Sequence, residues 1–131
     1  AAETGHLVIA TLHAVNCTHT IVRIIDAFPP YHQQQIRIQL SMILRAVVNQ
    51  KLLPLFNGKG RILAAEVLVA NEAIRNMVRE NKVQQIPNAI STGKNYGMQS
   101  MDDQIVDLYK KGEISYDIAM THISDRKELT R

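Results

Sequence analysis

An α/β fold that gives way to a helical tail is what this sequence predicts, and three observations carry it. Leu7 to Leu12 is a short, continuous, partly β-branched apolar run; Asn57-Gly58 lies between two further β-prone segments; and after Asn71 the pattern changes to short helices separated by capping residues. A run of the first kind fits a strand buried on both faces, as in a parallel sheet covered by helices. Asn-Gly between two such segments is a hairpin signal.

Taken in order, the strand at Leu7–Leu12 is followed by a helix start at Asn16, Cys17 and Thr18, with Ile21, Val22, Ile24, Ile25 and Phe28 at helical spacing. Pro29-Pro30 ends that helix, because proline lacks the amide hydrogen and crowds the preceding turn. A longer helix is predicted from about Tyr31 to Gln50, since Ile36, Leu40, Ile43, Leu44 and Val47 recur at intervals of three and four. Two strands follow, Lys51 to Phe56 and Arg61 to Val69, joined by Asn57-Gly58-Lys59-Gly60. Beyond them, Asn71 caps a helix through about Lys82, and another runs from Val83 to Thr92 with Gly93 as a left-handed stop. Ser100 to Asp103 has the form of a capping box for a helix ending at Gly112. Ser115 caps one through Ile123, and Asp125 to Glu128 forms a last frayed turn. The shift at Asn71 divides a strand-containing portion, 1–70, from a helical portion, 71–131, and the short link between them makes one unit.

Composition narrows the function. With 131 residues, 46% apolar and 21% charged, the chain is long enough to bury a core without disulfides. A net charge of +3 with two Phe, four Tyr and no Trp argues against nucleic acid as a partner. One cysteine, Cys17, leaves no internal disulfide and fits a reducing compartment. No apolar run approaches the ~20 residues of a membrane span, and no signal peptide is evident, so a cytoplasmic location is expected. The chain opens on Ala1 with its first strand close behind, which suggests a piece of a longer chain.

A phosphate-binding loop needs the pattern Gly-x-x-x-x-Gly-Lys-Ser/Thr, whose glycines let backbone amides approach the phosphates. Thr92-Gly93-Lys94-Asn95 is the nearest match; Asn95 lacks the required hydroxyl and Asn88 stands where the first glycine belongs. Gly58-Lys59-Gly60 lies in a hairpin turn rather than before a helix. The chain is therefore expected not to hydrolyse ATP alone.

His6, His13 and His19 cluster early, with Cys17 between the last two. Structural zinc takes four ligands, usually paired at short spacing, and only three candidates lie close, so no metal is expected. His6 and His13 are seven apart, which in a flat strand puts them on opposite faces. They either serve a site at the sheet edge or are ordinary boundary histidines. Cys17, at a helix start, could have a lowered pKa, yet is read as a small structural thiol. Glu66 shares strand parity with Ile62, Ala64 and Leu68, so it points toward an apolar face; a partnered structural carboxylate is the favoured role over a catalytic base. Arg75 and Arg79 are four apart on one helix, where like charges repel unless a partner relieves them; Glu72, Glu80 or an external anion could do so.

Several segments resemble the secretion-ATPase superfamily. Thr4-Gly5-His6-Leu7-Val8-Ile9-Ala10-Thr11-Leu12-His13 is similar to its histidine box, and Thr20 to Pro29, Leu44 to Pro54 and Gly60 to Leu68 continue the match. Ala73-Ile74-Arg75-Asn76-Met77-Val78-Arg79-Glu80 resembles the C-terminal AIRN-type signature of type IV pilus retraction ATPases, the PilT type, and Gly97 to Asp102 their next segment. The tetracysteine motif typical of type II secretion and pilus-extension relatives is missing. Ala14 departs from the threonine many relatives carry, which puts a hydroxyl role there in doubt; Met77 and Val78 replace Leu and Ile and conserve apolar volume.

The resemblance implies that 1–70 is the C-terminal part of a RecA-like P-loop ATPase core and that 71–131 is a helical C-terminal subdomain. It implies a hexameric ring that hydrolyses ATP with Mg²⁺ held by upstream motifs, acting from the cytoplasm at the inner-membrane pilus base on a platform protein. His6 and His13 would sense the nucleotide; Arg75, Asn76, Arg79 and Glu80 would couple or dock. The competing expectations are a non-catalytic interaction module, or a pilus-extension or type II secretion ATPase.

Overall fold

The computed structural model describes residues 1–130. After a 3-10 turn at Ala2–Thr4 come α1 (Cys17–Asp26), α2 (Pro30–Ile43), β1 (Ala46–Pro54), β2 (Arg61–Val69), α3 (Glu72–Arg79), α4 (Ile86–Thr92), α5 (Met101–Lys110) and α6 (Tyr116–His122). Further 3-10 turns lie at Val83–Gln85, Lys94–Tyr96 and Arg126–Thr130. The α/β class with a helical tail is the class found.

The strands pair antiparallel, from Ala46 opposite Val69 to Pro54 opposite Arg61. Alternation then gives the ribbon two faces. Val47, Asn49, Lys51 and Leu53 share one face with Ile62, Ala64, Glu66 and Leu68, and Leu53, Ala64 and Leu68 are buried against helices. Val48, Leu52 and Leu63, on the other face, stay exposed.

The ribbon is the spine between two apolar clusters. Leu68, near one end of β2, packs with Cys17, Ile21 and Ile25 of α1, Leu40 of α2, Ile74 and Val78 of α3, and Ile86 and Ile90 of α4. Toward the hairpin turn, Leu53 and Ala64 pack with Met101, Ile105 and Leu108 of α5, with Ala119 of α6, and with Leu129. Each cluster thus mixes residues from before and after Asn71.

Most helix starts follow from local chemistry. Asn16, Asn71, Ser100 and Ser115 each accept a backbone amide of the first turn, from His19, Ile74, Asp103 and Ile118 respectively, which satisfies donors that have no intrahelical partner. Pro30 opens α2 at a position that needs no amide hydrogen.

Three expectations are corrected. Leu7–Leu12 forms no strand: its backbone pairs with nothing, and Leu7 and Ile9 are 81% and 87% exposed. A doubly buried strand needs neighbours on both edges, and among the described residues the sheet contains β1 and β2 alone. The second helix stops at Ile43 rather than Gln50, and β1 begins at Ala46 rather than Lys51. Leu44 and Val47 continue the helical spacing, but pairing with Val67–Val69 wins, an override of local pattern by tertiary context. Gly93 is not left-handed, having φ −92°. Its small size matters instead, because a Cβ there would meet Met98 Cε at 2.7 Å and the Ala89 carbonyl at 2.8 Å. In this connection it is Gly97 that is left-handed, at φ 81°.

Candidate functional site

Two regions carry the residues singled out by sequence: the segment leading into α1, and α3. At the start of α1 the Cys17 amide donates to Glu66 Oε2 at 2.7 Å, while the His19 amide donates to Asn16 Oδ1 at 2.8 Å. A carboxylate at a helix N-terminus is favourable, since it meets the positive end of the macrodipole. Glu66 is therefore the partnered structural carboxylate that its strand parity suggested. The Cys17 thiol donates toward the carbonyls of Val47 and Glu66 at 3.5 and 3.7 Å. Burial, followed by the charge of Glu66, pushes its pKa up to about 12. The lowering that a helix start can produce is thus reversed here, and Cys17 is a buried, neutral thiol.

His6 and His13 are both exposed. His6 Nδ1 lies 3.1 Å from Thr4 Oγ1. The His13 carbonyl accepts from Arg23 Nη1 of α1. His13, Ala14, Val15, His19 and Arg23 line an open depression of about 430 Å³. Asn49 Nδ2 donates to the Ala14 carbonyl at 2.9 Å, tying this segment to β1. His13 and His19 are thus brought to one depression with Arg23, a residue that nothing in the local spacing marked; His6 is not among its lining residues. Among the described residues no group of three or more His, Cys, Asp or Glu is arranged to hold a metal ion.

The depression is a poor triphosphate cradle by itself. Of the α1 first-turn amides, those of Cys17 and His19 already donate, to Glu66 and Asn16, and no glycine lines the depression to let further backbone amides approach phosphate.

On α3 the four motif residues have different surroundings. Ile74 and Val78 anchor the helix in the core. Arg75, with a side chain 14% exposed, sends Nη1 to the carbonyls of Ser41 at 2.6 Å and Met42 at 2.9 Å, and its Nε lies 3.9 Å from Glu72. Asn76, Arg79 and Glu80 are exposed. Arg79 Nη1 donates to Asn76 Oδ1 at 3.0 Å, and the Arg79 carbonyl accepts from Gln34 of α2. Lys82, paired with Glu80 at 2.7 Å, holds the Glu80 carboxyl below its ordinary range.

Sequence reasoning missed two residues that shape this region. Gln99 pairs with Val67 through two backbone hydrogen bonds, and its side chain reaches the Ala65 carbonyl at 2.6 Å, so it covers the free edge of β2. Asp102 accepts the amides of Ser124 and Asp125, holding the chain after α6 against α5. Asp102 lay inside the Ser100 cap motif, but its partner is 22 residues away, beyond what local spacing reveals.

No family model matches the chain. It is 41% identical over 130 residues, 99% of its length, to a twitching motility protein of Neisseria gonorrhoeae, of which it covers 35%. It is 44% identical over 115 residues, 88% of its length, to the type IV pilus retraction ATPase PilT of Pseudomonas aeruginosa, covering 33% of that protein. The fold superposes on the pilus retraction motor PilT solved with bound ADP at a TM-score of 0.84 and 46% identity, over 98% of this chain and 36% of that one. The chain is thus similar, over nearly its whole length, to the C-terminal portion of PilT-type pilus retraction ATPases. It spans about a third of the length of the relatives it matches. Among the described residues no helix is long and apolar enough to cross a membrane.

Proposed function

We propose that this chain is the C-terminal part of an ATP-driven motor that retracts type IV pili, acting in the cytoplasm at the inner-membrane base of the pilus. The observation that carries this reading is identity of 41–46% across nearly the whole chain to proteins named for twitching motility and pilus retraction, one of them solved with ADP. The full-length protein works as a hexameric ring and binds ATP with Mg²⁺. The triphosphate cradle comes from residues outside this chain, which carries no complete Gly-x-x-x-x-Gly-Lys-Ser/Thr pattern. The segment holding His6 and His13 borders that nucleotide site. The helix α3, with Arg75, Asn76, Arg79 and Glu80, couples the ring to a platform protein at the membrane. Residues 1–70 belong to the ATPase core and 71–131 to a helical subdomain.

The retraction reading is favoured over a non-catalytic module by the combined match of the histidine segment and the α3 motif. The test uses the full-length protein. His13→Ala is expected to abolish twitching while the ring still assembles; unchanged twitching would remove the histidine segment from the motor cycle. Arg75→Ala combined with Arg79→Ala is expected to impair retraction more than ATP turnover. An equal loss of both would turn α3 from a coupling element into a folding or catalytic one.

A further inference from the structure

We infer that the α3 motif divides its labour, with Arg75 as an internal positioning residue and the docking face left to Asn76, Arg79 and Glu80. The inference rests on the proposed coupling role of α3 and specifies how its residues share that role.

The geometry begins at the end of α2. The last carbonyls of a helix have no intrahelical donor. In α2 the Leu44 amide closes the final bond, to the Leu40 carbonyl, and the backbone then turns to an extended conformation at Leu44. The carbonyls of Ser41 and Met42 are left over, and both receive Arg75 Nη1. A guanidinium here also meets the negative end of the α2 dipole. Two residues after Leu44 the chain enters β1, and the Arg45 carbonyl accepts the Ala70 amide at 2.9 Å, at the exit of β2. Arg75 therefore sits at the corner where α2, β1, the end of β2 and α3 converge. Ser41 is itself 1% exposed, so its side of that corner is buried, while Met42 lies at the surface. A mostly buried arginine committed to two backbone carbonyls of its own chain has little left to offer an external partner. Arg79, one turn on, is exposed, and its contact with Asn76 stays on the surface of α3.

Backbone amide exchange in the full-length protein, with twitching measured alongside, tests the division. Arg75→Ala is expected to speed exchange at the Leu44 and Ala70 amides by roughly ten- to a hundredfold, the effect of removing charge-assisted hydrogen bonds. The Phe56 amide, bonded to the Glu113 carbonyl beside the other cluster, should be unchanged. Arg75→Lys, which keeps the charge without the planar fork, should restore part of the protection and serves where the alanine variant fails to fold. Arg79→Ala should leave all three amides protected and still impair twitching. Unchanged exchange at Leu44 and Ala70 in the Arg75 variants would overturn the positioning role, as would a uniform rise that includes Phe56. Normal twitching with Arg79→Ala would instead remove the docking face, and with it the coupling role of α3, while leaving the clamp intact.

Discussion

Ile9 and Ile74 are the same residue type in opposite circumstances. Ile74 of α3 is fully buried among α1, α2, β2 and α4, whereas Ile9 is 87% exposed in a segment whose backbone has no partner. Both belong to motifs that the sequence marks as functional. The contrast shows a molecule finished on one side only. The helices and the inward face of the hairpin build both cores together, while the histidine segment and the outward face of the hairpin, with Val48, Leu52 and Leu63, present apolar surface. Contiguous exposed apolar surface marks a place where something else packs. In the proposed function that partner is the rest of the ATPase core.

Truncating the two isoleucines should separate the two regions most clearly. In the 131-residue chain, Ile74→Ala should cost about 2–5 kcal/mol, as for a buried aliphatic side chain. Ile9→Ala should stay within about 0.5 kcal/mol. Urea unfolding measures both. In the full-length protein the Ile9 effect should rise toward that of Ile74; a negligible effect in both contexts would mean that the segment is never buried. Gly93→Ala should cost about 1–3 kcal/mol by forcing Met98 and the α4 backbone apart, a typical overpacking loss. Ser100→Ala, which strips the cap of α5, should cost about 1 kcal/mol.

Cys17 sharpens the comparison through pH. Its thiol has an ordinary value of 9.0 and is pushed up to about 12 in the fold. The folded protein therefore binds the proton more tightly than the unfolded chain. That contribution is fully present below about pH 9, and is lost as pH rises from there toward 12. Thiol-reagent labelling should be slow at neutral pH, because almost none of the thiol is ionised there. Rapid labelling at pH 7 would contradict the buried, neutral thiol. The smallest effect belongs to Glu80→Gln: its ion pair with Lys82 is exposed, so the unfolding midpoint should not move.

Local chemistry was readable wherever it decided the outcome. Asn71, Ser100 and Ser115 begin helices because their side chains reach amides three residues on, and Asn57-Gly58 turns the hairpin. Glu66 was placed correctly because strand parity alone aims it inward. The errors arose where distant partners decide. Leu44 and Val47 extend the helical spacing of α2, and only pairing with β2 shows that α2 has ended. Leu7–Leu12 has the composition of a buried strand but finds no strand to join here. Arg75 was marked by its motif and by its spacing from Arg79, yet its partners lie 33 and 34 residues away, so its inward aim left no local trace.

In the proposed function the nucleotide site is divided between this chain and the rest of the protein. Titration of a fluorescent ATP analogue with Mg²⁺ into the 131-residue chain and, in parallel, into the full-length protein addresses it directly. Binding to the full-length protein with none detectable for the shorter chain is the expected result. Tight, Mg²⁺-dependent binding by the 131 residues alone would contradict it.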